Sequence, residues 1–527
     1  MQTLWGSPVL GLSQAPAIHV GLAPKPRLPR GTRARPGRRA GGMTASGRPQ
    51  PAPTCSSTRS LAGAPGQKWF QLPRSSLHHQ ERRPTRLAAT PGDGLGLVES
   101  DPQLEPFSDH LRYRFDQYRR VKADIEQAEG SLAKFAKGYE IFGFSRDGTA
   151  TVYREWAPTA KAVHLIGDFN CWSWNTPLER GHYGVWSVRL PDGNDGVPAV
   201  PHGSRVKVRL TLHDGSAVDR VPAWARLAQA PFGQMGAKFD GVHWAPPEHE
   251  RYSWRCERPP RPDSLRIYEA HVGMSSEEEK VASYAEFSAN VLPRIKAAGY
   301  TAVQLMAVQE HAYYASFGYH VTNPFAPASR SGNPEELKAL VDTAHGMGLV
   351  VLLDVVHSHI SSNTDDGLAG FDIGQSAEDG YFLTGEAGYH SQWDSRLFNY
   401  RSWEVLRYLL SNLRWWLEEY RFDGFRFDGV TSMLYHHHGI NRSFSGGYGD
   451  YFGPDSNVDA AVYLMLANDL VHEVVPGAIT IAEDVSGMPG LGRPVAEGGV
   501  GFDFRLAMGL PDFWVRLLKE RRGEHWS

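Results

Sequence analysis

Hydrophobic positions change their spacing along the chain, and each change marks a segment. Before about residue 85 no period holds. Over 101–140, Leu111, Phe115, Tyr118, Val121 and Ile125 recur every three or four residues until Gly130 interrupts them, which predicts a helical segment. Over 148–250 the spacing shortens. Thr151–Trp156, Ala162–Ile166, Val185–Val188 and Val206–Leu210 alternate or carry β-branched residues, and Gly167, Asn170, Asp192, Gly193, Asp214 and Gly215 punctuate them. That pattern predicts a small β-sandwich. A proline-rich linker, 259–262, follows.

From residue 262 to 527, short apolar runs alternate with helical periods. The runs are Leu265–Tyr268, Ala302–Leu305, Leu349–Asp354, Gly424–Asp428 and Ile479–Glu483, with a sixth candidate at Gly501–Phe504; helices are predicted at Glu335–Met347 and Trp403–Tyr420. Such alternation means parallel βαβ units. No Gly-x-Gly-x-x-Gly follows a first strand, so a barrel is favoured over a Rossmann sheet. The expected class is α/β: a (β/α)8 TIM barrel, incomplete with about six strands present, preceded by a β-sandwich domain.

Composition changes this picture mainly at the N-terminus. Of 527 residues, 41% are apolar and 21% charged, which excludes a wholly disordered or collagen-like chain. The first acid is Glu81, and eleven Lys and Arg precede it; a whole-chain charge of −3 therefore leaves −14 for the remainder. An acid-free leader rich in Arg, Ser, Pro and Gly over residues 1–85 reads as an organelle transit peptide. Its Pro and Gly disfavour an amphipathic mitochondrial helix, so a plastid is expected, with a cytoplasmic protein as the alternative. The acidic remainder offers no surface for nucleic acid. No run of about 18 apolar residues predicts a membrane span. Three cysteines, Cys55, Cys171 and Cys256, are too few for a disulfide framework and suit a reducing compartment.

The candidate chemistry lies at strand ends. Asp354, Asp428 and Glu483 each close an apolar strand, where a carboxylate is costly unless paired or used. Arg426 and Asp428 are two apart and share a strand face. The guanidinium favours the ionised carboxylate, which suits Asp428 as a nucleophile. Ile481 and Ala482 give Glu483 an apolar setting that retains a proton, as a general acid/base requires. An ionised Asp facing a protonated Glu is the pairing of retaining glycosyl chemistry. His357 and His359 read as hydroxyl-binding donors rather than zinc ligands, because no third ligand follows at a usual spacing. The tract His436–His438 reads as loop packing.

At these residues the chain resembles the α-glucan branching enzymes of the α-amylase superfamily. The likeness rests on Asp354-Val-Val-His-Ser-His359, Gly424-Phe-Arg-Phe-Asp-Gly-Val-Thr-Ser432, Ala482-Glu-Asp-Val-Ser-Gly-Met-Pro489, Glu310-His-Ala-Tyr-Tyr-Ala-Ser-Phe-Gly-Tyr319 and Met433-Leu-Tyr-His-His-His-Gly439. It implies cleavage of an α-1,4 glucosidic bond and transfer of the chain to a 6-hydroxyl. Asp428 would be the nucleophile and Glu483 the acid/base, while Arg426, Asp354, His359, His311 and Tyr319 would position the sugar. The sandwich would be a glucan-binding module contacting substrate through Trp156, Trp172, Tyr183 and Lys207, with Glu404 and Arg407 as further contacts in the barrel. Amylose, amylopectin or glycogen is the implied partner of a monomer, and no metal or cofactor is implied. The family also carries a third acid, an Asp after a His, on a late strand. No His–Asp pair follows Phe504, so the chain reads as truncated before its last strands. The alternatives are a non-catalytic glucan-binding protein and a related hydrolase or debranching enzyme.

Overall fold

The computed structural model describes residues 92–231, 236–372, 380–506 and 509–523. The predicted leader, with Cys55, lies outside them. The helical segment is less continuous than the periodicity suggested. A 3-10 turn at Pro102–Phe107 leads into one long helix, Ser108–Glu129, which Gly130 ends at φ 92°, and two single turns follow at Leu132–Phe135 and Gly138–Ile141. The long helix packs on the helix Val458–Val474, where Asp469 Oδ2 accepts from the Tyr118 hydroxyl and Lys122 Nζ, at 2.8 and 2.5 Å.

The sandwich begins earlier than predicted. β1 (Gly143–Asp147) pairs antiparallel with β2 (Ala150–Trp156), turning at Gly148. With one large apolar residue, Phe144, β1 carries no alternation to read. β3 (Ala162–Gly167), β4 (Glu179–Arg180), β5 (Val185–Pro191), β6 (Arg205–Thr211), β7 (Ala217–Arg220), β8 (Ala228–Gln229) and β9 (Asp240–Val242) complete two sheets, ordered β1-β2-β5-β4 and β3-β6-β9-β8, with β7 against β6.

The barrel strands are β10 (Ile267–Ala270), β11 (Ala302–Leu305), β14 (Val350–Val355), β18 (Gly424–Phe427), β19 (Ile479–Glu483) and β20 (Phe504–Leu506), all parallel and in that order. The first strand runs two residues later than expected. The sixth candidate is a strand, displaced to Phe504–Leu506. Among the described residues the sheet is an open half-barrel of six strands. Between its members lie β12 (Gln309–Glu310) with β13 (Asn323–Pro327), and a small sheet of β15 (Ile360–Ser361), β16 (Tyr389–His390) and β17 (Ser395–Arg396). The helix Pro334–Gly346 starts in a capping box. Asn333 Oδ1 accepts from the Glu336 N–H at 3.0 Å, and Glu336 Oε2 accepts from the Asn333 N–H at 2.8 Å. Among the described residues no helix is long and apolar enough to cross a membrane.

One hydrophobic core runs through sandwich and barrel. Trp224, just after β7, stacks on Phe142 (5.0 Å between ring centres) and packs on Phe325 and Tyr408 of the barrel (4.7 and 4.8 Å). Beside it Glu155 is fully buried without a cation. It accepts from the Tyr153 hydroxyl (2.7 Å) and the N–H groups of Trp156 (3.1 Å) and Ala223 (3.0 Å), and burial pushes its pKa up to about 7.

Gly424 opens β18 at φ 151°, and a Cβ there would sit 2.0 Å from the Ile479 carbonyl oxygen. Backbone cannot yield as a flexible side chain does. Gly424→Ala is therefore expected to lower unfolding free energy by at least about 2 kcal/mol, read from the urea midpoint.

Candidate active site

β14, β18 and β19 lie side by side with their C-terminal ends together. Register sets Asp354 beside Arg426, and Arg426 beside Ile481, one turn of pleat from Glu483. Arg426 Nη1 donates to Asp354 Oδ1 and to Asp428 Oδ1, at 2.7 Å each, and Nη2 lies 3.9 Å from Glu483 Oε2. The Tyr319 hydroxyl donates to the other oxygen of Asp354 at 2.8 Å. The Gly429 N–H donates to Glu483 Oε2 at 2.8 Å. His359 is anchored to the same cluster, its ring nitrogens 2.9 Å from the Tyr319 carbonyl and 2.9 Å from the Ser358 hydroxyl.

The electrostatics follow from one cation among three acids. Asp354 is 0% exposed; burial pushes its pKa up to about 7, with Arg426 pulling down and Asp428 pushing up. Burial and the Asp428 charge raise Glu483, Arg426 again opposing. Burial by itself would weaken the Arg426 cation, but Asp354 and Asp428 outweigh it and raise its pKa. The cluster thus holds a carboxylate bonded to a permanent cation beside a carboxyl that keeps its proton to higher pH. That is the equipment for nucleophilic attack with acid/base assistance.

The other predicted residues lie outside that cluster. His357 does not join the cluster. It is buried between the Tyr463 hydroxyl (2.6 Å) and Asn412 Oδ1 (3.0 Å), so its expected role as a sugar-binding donor is corrected to one of core packing. His359, two residues on, is equally buried but bonds Ser358 and Tyr319 instead. His311 is buried, with Nδ1 2.9 Å from the Gln309 carbonyl and no bond to the Arg426 cluster among the described residues. His438 bonds the Ser432 carbonyl (2.8 Å) and His437 stacks on Tyr435 (5.3 Å), as loop packing requires.

Trp156, Tyr183, Glu404 and Arg407 meet in a groove of about 1110 Å³ between the sandwich and the helix Trp403–Glu418. Trp156 is buried and donates its indole N–H to the Tyr183 carbonyl at 3.0 Å. Tyr183, at φ 57°, holds its ring 90% exposed. Arg407 is neutralised by Glu404 (3.0 Å) and by Glu129 (2.7 Å). Trp172 and Lys207 lie elsewhere, with the second sheet. Arg205 covers the Trp172 ring at 5.7 Å, and Lys207 is buried against Asp240 at 3.3 Å. Trp174, which sequence reasoning passed over, is 52% exposed under Arg209 (4.7 Å).

Residues 141–225 match the model of Carbohydrate-binding module 48 (Isoamylase N-terminal domain). The chain is 60% identical over 436 residues to the 1,4-alpha-glucan-branching enzyme of Solanum tuberosum, covering 82% of this chain and 50% of that protein. It is 58% identical over 437 residues to the 1,4-alpha-glucan-branching enzyme 1, chloroplastic/amyloplastic, of Pisum sativum, covering 82% and 53%. The chain belongs to the 1,4-alpha-glucan-branching enzyme family. It spans about half the length of these relatives. Apo pullulanase from Paenibacillus barengoltzii superposes with a TM-score of 0.50 at 18% identity, over 67% of this chain and 55% of that one, which is a likeness of fold.

Within this chain the reading from sequence missed the Gly429 N–H on Glu483 and the hairpin that carries His390 and Trp393. The only signal for the hairpin was two aromatic residues set among polar ones in Tyr389-His-Ser-Gln-Trp-Asp394.

A pH dependence follows. A carboxyl whose pKa is raised on folding binds its proton more tightly in the native state, so stability falls as pH rises from the unfolded value to the folded one. For Asp354 that window runs from 3.8 to about 7. Asp354→Asn is expected to flatten the fall in urea midpoint between about pH 4 and 7, measured beside the parent chain.

Proposed function

We propose that this chain carries the glucan-branching reaction through a retaining double displacement at Asp428 and Glu483. The observation that supports it best is the Arg426 guanidinium shared by Asp354, Asp428 and, at longer range, Glu483. Asp428 attacks the anomeric carbon of an α-1,4 bond while Glu483 protonates the leaving oxygen. Glu483 then deprotonates a 6-hydroxyl of a second glucan, which displaces Asp428 and makes an α-1,6 branch with net retention. Arg426, Asp354, Tyr319, His359 and His311 hold the sugar at the cleaved bond. The residues in these steps need no cofactor.

Glucan is held away from the chemistry on two surfaces. The groove presents Tyr183 as a flat ring with Trp156, Glu404 and Arg407 beside it. Trp172 serves the second surface, at the second sheet, where Lys207, buried against Asp240, backs the strand rather than meeting substrate first. The partner is amylose, amylopectin or glycogen, and the protein acts as a monomer. Its acid-free leader and the plastid location in the name of the pea relative support a plastid protein.

New α-1,6 linkages by proton NMR in amylose incubated with the purified chain, with no net rise in reducing ends, support the reading and make the third acid dispensable. Asp428→Asn and Glu483→Gln are expected to reduce the rate by roughly a thousandfold or more. Reducing ends without branches would favour hydrolysis instead. Tyr183→Ala is expected to weaken glycogen retention in affinity electrophoresis by roughly tenfold, through loss of a stacking face.

A further inference from the structure

The hairpin β16–β17 is fastened to the catalytic strands. β17 pairs with β15, the two-residue strand that leaves His359. Asp394 Oδ1 accepts from the hydroxyls of Tyr389 and Ser362, at 2.8 Å each, with Asp394 itself at φ 46°. Ser395 Oγ donates to the Trp393 carbonyl at 2.8 Å, and the Trp393 N–H donates to the His390 carbonyl at 3.1 Å.

What this fastening fixes is one indole. Trp393 stacks face to face on buried His390, ring centres 3.8 Å apart and planes at 15°. His359 meets it at 5.1 Å. Its far edge reaches the catalytic strand, because a Cβ added to Gly429 would sit 3.4 Å from Trp393 Cη2. Gly429 follows Asp428, and its N–H holds Glu483. Even so, Trp393 stays 37% exposed. Burial pushes the His390 pKa down to about 4, helped by His359 and His438, so the supporting ring is neutral at ordinary pH. A rigid apolar face, backed on one side and open on the other, matches the C–H face of a pyranose ring.

We propose that Trp393 is the stacking platform for the glucosyl unit on the leaving-group side of the cleaved bond, and that His390 is its positioning residue. The proposal deepens the branching reading and rests on it. The side is assigned by Gly429, because Trp393 meets the chain at the residue that holds Glu483, the group that handles the leaving oxygen. The departing chain and then the accepting chain occupy the same platform, since both place an oxygen before Glu483.

The test is calorimetric titration with maltohexaose of a chain carrying Trp172→Ala, Trp174→Ala and Tyr183→Ala, which removes the accessible rings of both sandwich-side surfaces. Adding Trp393→Ala is expected to weaken the remaining binding by about tenfold, whereas Trp393→Phe keeps it within about threefold. His390→Ala is expected to weaken it by roughly threefold and His390→Phe to restore it, a rescue that a purely structural lesion would not show. Thermal midpoints within a few degrees of the parent identify folded variants, and Trp393→Phe carries the comparison where the alanine variant fails to fold. In the branching assay the loss falls on the acceptor KM rather than on kcat. Unchanged affinity on Trp393→Ala, in a parent that binds, overturns the platform and leaves the branching reading standing. A parent with no affinity for maltohexaose overturns both.

Discussion

Arg426 is the constraint around which the site is organised. Three strands bring Asp354, Asp428 and Glu483 to one end of a parallel sheet, where like charges a few ångströms apart repel strongly in a medium that screens poorly. A single guanidinium, bonded to two of them and near the third, makes the arrangement tolerable. Its planar fork can serve several oxygens at once, which a lysine's point charge cannot do with the same geometry. Much around it keeps that fork aimed. Gly424 lets β18 run hard against β19, register sets Asp354 opposite Arg426, and Tyr319 occupies the remaining oxygen of Asp354.

The division of labour between the acids follows from unequal shares of that cation. Asp428 is bonded to it directly, while Glu483 is 3.9 Å away and takes a neutral N–H from Gly429 instead. Burial and the Asp428 charge outweigh the pull of Arg426 and of the Gly429 N–H, so Glu483 keeps its proton to higher pH. Asp354, sealed from water and tied to both Arg426 and Tyr319, is better suited to holding position than to reacting.

Strand ends that carry acids after apolar runs were legible in the sequence, because parallel strands buried on both faces have few polar positions to confuse the pattern. The sandwich was legible from alternation, except β1, where Gly-Phe-Ser-Arg-Asp gives no alternation to read. Asp354, Arg426, Asp428 and Glu483 were legible as one group because regular strands fix where their side chains point. His357 was not, since direction beyond the strand end is set by Asn412 and Tyr463, distant in sequence. The groove residues Tyr183 and Glu404 come from segments more than two hundred residues apart, and only the family likeness suggested them. Trp393 was illegible for a different reason. Its position depends on a short irregular hairpin, whose two-residue strands have no period.

The seam at Glu155 and Trp224 has a mechanical consequence. Glu155 ties two sandwich segments together, and beside it an indole wedged among barrel aromatics and the Tyr408 hydroxyl, donating to the Ala223 carbonyl, pin those segments to the barrel. The sandwich cannot swing on a hinge like a tethered module. One continuous core favours melting of sandwich and barrel together, with the spacing between Tyr183 and the helix at Trp403 acting as a fixed caliper rather than a jaw.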